Sequence, residues 1–245
     1  MKVSFFIPVY FREDVVKKSM ESLLKTTKGS KHKLSFNIVD NKSNDSLREY
    51  LKSIAKIDNR VNLSLLDKNY GKAVAIMNCC NRYPDFELFV NFDSDLICLQ
   101  ENWADELIDS FLLIGKAGMV SVNYVNNGNN PMPKQPKSDM LDNKNTFNFG
   151  GDVAGGCFIT SKEVWVKSGG YIASGLYGGV DGYFRYRVTQ LGYKCGYIEE
   201  ILVEHPNDHE SDYYKWKVAV QKNIGKMGFH APAERLGNAK GFFDK

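Results

Sequence analysis

Long hydrophobic runs are absent. No stretch approaches the roughly 20 apolar residues that a bilayer-spanning helix needs, so no integral membrane segment is read. The N-terminal Val3-Ser4-Phe5-Phe6-Ile7 is short, is broken by Pro8 and lacks a small-residue cleavage site, which makes it a first strand rather than a signal peptide. An excess of one charge is missing too: the 32 basic and 29 acidic residues leave a net charge of +3, too even to point to nucleic acid. Cysteine is sparse. The five cysteines form no metal-binding spacing, and an odd number scattered through apolar segments argues for buried, reduced thiols and a cytoplasmic protein. No internal repeat is evident, which excludes repeat architectures.

What is present is ordinary in bulk and regular in order. At 245 residues, 43% hydrophobic and 25% charged, the chain can fill one large α/β core. Val3–Val9 reads as a strand, followed by a helix with Val15, Val16, Met20, Leu23 and Leu24 on one face. Leu34–Val39 is a second strand, and Asn44 or Asp45 caps a helix bearing Leu47, Leu51, Ile54 and Ile57. Val61–Leu66, a helix at Ala73–Asn81, the run from Phe86 to Phe92, a helix near Trp103–Ile114 and a strand at Met119–Tyr124 continue the alternation. Such β-α-β order predicts a mostly parallel central sheet flanked by helices. Residues 126–148, rich in Asn, Pro, Lys and Gly, read as a flexible loop, which at this length is usually a lid, a binding loop or disordered. The pattern resumes with a strand at Gly155–Ile159, a short helix at Glu163–Lys167, a helix from Gly178 to about Leu191 and an extended segment from Cys195 to Val203. Residues 210–245 read as a helical tail, its lysines Lys215, Lys217, Lys222 and Lys226 on a solvated face.

Chemistry concentrates at Asp93-Ser94-Asp95, which follows the apolar run Phe86–Phe92. Two carboxylates with one residue between them, at the mouth of a strand, can hold a divalent cation; hard oxygen ligands suit Mg or Mn, which keep open positions for phosphates. The tripeptide arises easily by chance in an acidic chain, so its placement matters more than its existence. Asp40 also falls at the end of a predicted strand, and open α/β sheets bind ligands outside the carboxyl ends of their strands.

Six segments in order then resemble the GT-A glycosyltransferases, most of all the large inverting family 2. They are Pro8-Val9-Tyr10; Val39-Asp40-Asn41-Lys42-Ser43-Asn44-Asp45; Asn69-Tyr70-Gly71-Lys72-Ala73 running on to Asn78; Asp93-Ser94-Asp95; Gly155-Gly156-Cys157-Phe158-Ile159; and Gly178-Gly179-Val180-Asp181 with Arg187 and Gly192-Tyr193. The resemblance implies a single GT-A domain over 1–245, with a nucleotide-sugar half at 1–125, the loop at 126–148 and an acceptor and catalytic half at 149–209. It implies a divalent metal, Mn or Mg, held by Asp95, by Asp93 directly or through water, and by His205, with His209 as runner-up. It implies a UDP-linked donor contacted by Pro8, Val9, Tyr10, Arg12, Asp40, Asn69, Lys72, Asp93 and Ser94, Asp40 accepting from a uracil N3–H. Asp181 becomes the general base of an inverting transfer, and Gly156, Cys157, Tyr177 and Gly179 line the side of a hydroxyl-bearing acceptor, which could be a glycan, a lipid-linked sugar, a protein or a nucleobase.

Each residue also has a plainer reading. Asp181 could cap its helix, Asp40 could form a turn, Lys72 could be an exposed helix lysine and His205 a surface histidine. Trp103 and Trp165 sit at apolar helical positions and read as core. The chain departs from the family at Val180, where Glu is usual, and at Tyr183 and Phe184. The segment after Gly178 is also similar to retaining polypeptide N-acetylgalactosaminyltransferases, which leaves the stereochemistry open. A haloacid-dehalogenase-like phosphotransferase would carry its acidic pair on the first strand, and a sugar nucleotidyltransferase needs a glycine-rich loop where Phe11-Arg12-Glu13 stands. A silent nucleotide-sugar-binding scaffold is the non-enzyme alternative; Val180 speaks for it, and intact Asp93, Asp95 and Asp181 speak against it.

Overall fold

The computed structural model describes residues 1–125, 132, 134–173, 179–206 and 215. Its first part runs β1 (Lys2–Val9), α1 (Glu13–Thr26), β2 (Lys33–Asp40), α2 (Asp45–Ile57), β3 (Val61–Leu65), α3 (Lys72–Arg82) and β4 (Leu88–Phe92). The remainder runs β5 (Ile97–Cys98), α4 (Trp103–Leu113), β6 (Ala117–Val125), β7 (Lys137–Met140), β8 (Thr146–Phe149), β9 (Cys157–Ser161), α5 (Lys162–Lys167), α6 (Val180–Gln190) and β10 (Lys194–Glu204). Among the described residues the strands form one sheet in the order β3-β2-β1-β4-β9-β6-β10-β8-β7, with β5 paired to β10.

Period-2 alternation in β1 explains the layering. Phe5, Ile7 and Val9 point to one face, where they meet Val16, Met20 and Leu23 of α1, Leu47 and Leu51 of α2, and Trp103, Leu107 and Phe111 of α4. Phe6 points to the other face, against Phe89 and a core built from α3, α5 and α6. Each large aliphatic or aromatic side chain so buried contributes about 2 kcal/mol. Asn44 caps α2, its Oδ1 accepting from the Leu47 N–H at 3.1 Å. Trp103 and Trp165 are both core residues, and all five cysteines are free and buried.

The expected parallel pairing holds in the first half, where β3, β2, β1 and β4 run parallel. Beyond β4 the sheet is mixed: β9 lies antiparallel between β4 and β6, while β6 and β10 are parallel. One expectation is corrected. The segment expected as a loop is not loop throughout, because its later part forms a β7–β8 hairpin laid antiparallel on β10. The physical reason is the alternation at Phe147 and Phe149: Phe147 is fully buried and the two rings stack at 5.1 Å. Residues 126–131 and 133 lie outside the described residues, as does the tail expected to be helical, Lys215 apart.

Candidate active site

The parallel half aims its strand ends at one place. β1 ends at Val9, β2 at Asp40, and β4 runs into Asp93, Ser94 and Asp95. A turn closed by the Leu96 N–H on the Asp93 carbonyl at 3.3 Å sends the chain into β5. There Cys98 pairs with Val203 and Ile97 with Glu204, and this short antiparallel contact brings His205 back to the acidic tripeptide. A register irregularity in β10 between Ile198 and Leu202 sets that alignment, clamped by Gln100, which donates to the Glu200 carbonyl at 3.0 Å and accepts from the Leu202 N–H at 2.8 Å.

The two carboxylates face different company. Asp95 Oδ2 lies 2.9 Å from Arg12 Nη1 and 3.6 Å from His205 Nε2. Arg12 reaches it from a turn in which Phe11 (φ 53°) and Arg12 (φ 59°) are successive left-handed residues. Neither is glycine, so each costs on the order of 1–2 kcal/mol. Asp93 Oδ1 instead meets Lys72 Nζ at 2.8 Å and Asn91 Nδ2 at 3.1 Å. Lys72 continues to Asp181 Oδ2 at 3.1 Å, and the Tyr171 hydroxyl donates to Asp181 Oδ1. Burial, reinforced by the Asp181 and Asp95 charges and opposed by Lys72, raises the Asp93 carboxyl to about 6. Burial lowers the affinity of the Lys72 amine for its proton, but Asp181 and Asp93 outweigh it, so Lys72 is held firmly as the ammonium. Tyr171 titrates well above its ordinary value, chiefly through burial and then through Asp181, so its hydroxyl remains a donor.

Glycines make the close approaches possible. A Cβ at Gly155 would collide with Asp181 itself, and one at Gly156 would come within 2.6 Å of the Tyr124 hydroxyl. Asn91, a polar residue in the middle of a buried strand, donates to the carbonyls of Gly155 (2.8 Å) and Gly156 (3.0 Å) as well as to Asp93. It thereby ties β4 to the start of β9. Arg187 donates to the carbonyls of Ser168 and Gly170 and so holds the turn that delivers Tyr171. Asn91 and Tyr124 escaped the sequence reading, and Tyr171 drew notice there only as an aromatic suited to sugar stacking, behind Tyr177. An Asn inside an apolar run and paired glycines facing a conspicuous Asp were the available signals.

Several predicted contacts turn inward. Cys157 is fully buried, its thiol raised well above the ordinary range by burial; its N–H donates to the Tyr124 hydroxyl at 3.0 Å and its carbonyl accepts from the Ser121 hydroxyl at 2.7 Å. The Val9 side chain is equally buried, and its carbonyl accepts from the Asn41 N–H at 2.8 Å. Asp40 is wholly buried, with Oδ1 accepting from the Ser43 N–H at 3.0 Å and Oδ2 from Arg48 Nε at 2.6 Å. Ser43 in turn accepts from the Phe11 N–H, so Asp40 organises the turn beside the strained loop. The Ser94 hydroxyl donates to the Pro8 carbonyl, and Asn69 accepts from the Gly71 N–H ahead of α3. The Tyr10 ring meets the Phe11 ring edge-on at 4.6 Å. Lys72 is not an exposed helix lysine, since its side chain is only 18% accessible. Gly179 (φ 72°) is the N-cap of α6, which frees Asp181 from that task. Tyr177 and His209 lie outside the described residues.

Among the described residues no group of three or more His, Cys, Asp and Glu side chains converges as a metal centre. The donor set of Asp95 and His205 nevertheless fits a divalent cation. An oxygen and an imidazole nitrogen 3.6 Å apart match two ligands at about 2.1 Å from one ion, with phosphate and water for the rest.

The model of glycosyl transferase family 2 matches residues 4–166, from within β1 through β9 and into α5. The chain belongs to glycosyl transferase family 2. It is accordingly a transferase enzyme with a GT-A fold. A curated relative, undecaprenyl-phosphate 4-deoxy-4-formamido-L-arabinose transferase of Proteus mirabilis (strain HI4320), is 35% identical over 96 residues, which are 39% of this chain and 29% of that protein. Among solved structures this family 2 transferase is similar to the mannosyltransferase PcManGT from Pyrobaculum calidifontis in complex with GDP-Man and Mn2+ (TM-score 0.65, 14% identity, covering 98% of this chain and 69% of that one). It is also similar to GalNAc-T7 with UDP, GalNAc and Mn2+ (TM-score 0.68, 14% identity, 98% and 54%) and to S. aureus TarS (TM-score 0.63, 16% identity, 92% and 39%). At such identities the likeness establishes the fold. Among the described residues no helix is long and apolar enough to cross a membrane.

Proposed function

We propose that this family 2 transferase moves a sugar from a nucleoside-diphosphate donor, UDP-linked, to an acceptor hydroxyl with inversion at the anomeric carbon. The observation that carries the reading is the division of the site. Asp95 and His205 form one flank, and Asp93, Lys72, Asp181 and Tyr171 the other. An inverting displacement needs its base and its leaving diphosphate on opposite sides of the reacting carbon, and two flanks of this composition support that reading. A divalent cation, Mn or Mg, held by Asp95 and His205 would neutralise the charge that develops on the leaving diphosphate.

The chain's own residues do the rest. Asp181 takes the acceptor proton on Oδ2 once Lys72 is drawn toward the donor, while the Tyr171 hydroxyl keeps Oδ1 occupied and fixes the carboxylate plane. Lys72 balances Asp93 and Asp181, which would otherwise repel one another. Tyr10 and Phe11 offer aromatic surface beside the ends of β1 and β2 for the nucleobase. The similar mannosyltransferase is in complex with GDP-Man and Mn2+ and GalNAc-T7 with UDP, GalNAc and Mn2+, which supports a nucleotide sugar and a metal for this chain. The acceptor is a hydroxyl-bearing molecule; the prenyl-phosphate relative makes polyprenyl phosphates an informative addition to an acceptor panel. A panel of UDP-, GDP- and dTDP-sugars, assayed for nucleotide release with Mn2+ and with EDTA, tests the reading. Metal-dependent cleavage of a UDP-sugar is the expected result; cleavage unaffected by EDTA would remove the metal from it.

A further inference from the structure

We propose that Arg12 is a latch on the cation site: it holds Asp95 until a divalent cation arrives, then exchanges that carboxylate for the donor's diphosphate, so that cation and diphosphate bind cooperatively. This rests on the reading of Asp95 and His205 as the cation's ligands. The decisive detail is a shared atom. The carboxylate oxygen that Arg12 Nη1 holds at 2.9 Å, Asp95 Oδ2, is the same one that lies 3.6 Å from His205 Nε2. A cation seated between Asp95 and His205 would lie beside the guanidinium on one carboxylate, and the two positive charges, repelling one another, compete for it. The competition is sheltered, because the side chains of Arg12 and Asp95 are 11% and 19% accessible, and screening by water is reduced.

The backbone shows that Arg12 is placed for this rather than left there. Phe11 and Arg12 are consecutive left-handed residues, a conformation that persists only where the surroundings enforce it. The enforcement is visible: the Phe11 N–H donates to Ser43 Oγ at 2.9 Å, and the Arg12 carbonyl accepts from the N–H groups of Val15 and Val16 at 3.0 Å, as the first turn of α1. The Cα of Arg12 is thus pinned, so any exchange of partner must come from its side chain. Charge completes the argument. Asp93, Asp95 and Asp181 outnumber Arg12 and Lys72 by one; a divalent cation reverses that balance, and a planar guanidinium released beside it is matched to a diphosphate. Each ligand then improves the site for the other, and the coupling is reciprocal.

The test is Mn2+ binding followed by electron paramagnetic resonance, with and without UDP, on the wild type, Arg12→Met and Arg12→Lys, each checked for folding by its thermal melt. The latch predicts that Arg12→Met binds Mn2+ alone about tenfold more tightly than wild type, while the gain in Mn2+ affinity conferred by UDP shrinks about tenfold. Arg12→Lys, which keeps the charge and loses the fork, should fall between the two; if Arg12→Met does not fold, Arg12→Lys alone must show tighter Mn2+ binding and a smaller UDP gain. Mn2+ affinity equal to or weaker than wild type in the variants overturns the latch and leaves the metal reading standing. No Mn2+ binding by the wild type, with or without UDP, overturns both.

Discussion

Asp93 and Asp95 are separated by a single residue, yet they belong to two different environments. Asp95 looks toward Arg12 and His205, groups carried by the loop after β1 and the end of β10. Asp93 looks toward Lys72 and, across it, Asp181, from the N-termini of α3 and α6. The difference teaches that the acidic tripeptide is a divider more than a chelate. In the proposed reading one carboxylate would serve the flank of the cation and diphosphate, while the other anchors the ammonium that also pairs with Asp181.

Substitutions on the two flanks should fail in different ways. Asp181→Asn should lower turnover by about a thousandfold, read as nucleotide release, while UDP affinity stays within about twofold. Loss of UDP affinity in that variant would break the comparison by placing Asp181 on the donor flank. Lys72→Met leaves Asp93 and Asp181 facing one another uncompensated and should destabilise the protein by about 3 kcal/mol in denaturant unfolding. A variant as stable as wild type would mean that solvent already balances the pair. Tyr171→Phe removes one hydroxyl from an otherwise unchanged aromatic cluster, so turnover should fall about tenfold with little change in the melt. A large loss of stability with no kinetic effect would instead make the tyrosine a packing residue. Asn44→Ala sharpens the comparison from outside: it should cost about 1 kcal/mol by loss of the α2 cap and leave both flanks' binding and turnover untouched.

Legibility in the sequence divides the molecule in a similar way. The first half could be read because each strand alternates or runs apolar, each helix has a clear face, and the carboxylates fall where the strands stop; β1 through β4 pair as that pattern implies. The β7–β8 hairpin was missed because Lys137–Met140 is wholly exposed, leaving only Phe147 and Phe149 as a signal. In the site, the residue types were legible and their partners were not. Tyr171 is 1% accessible and packs against Trp165, Phe158 and Phe184, so by pattern it is simply core; its function rests on one hydroxyl emerging beside Asp181. Lys72 and Arg12 read from sequence as donor contacts because a lone cation there has no visible partner, whereas folding brings carboxylates from remote segments to both. Asp40 and Ser94 show the converse, polar side chains near a site whose present hydrogen bonds hold the loops around it.

The most direct test of the account is calorimetric titration of UDP into the protein with Mn2+, repeated with EDTA and with Asp95→Ala. The account predicts binding that needs Mn2+ and is lost in the variant, because the donor's diphosphate is held through a cation on Asp95. UDP binding of equal strength with EDTA, or unchanged in Asp95→Ala, would contradict it.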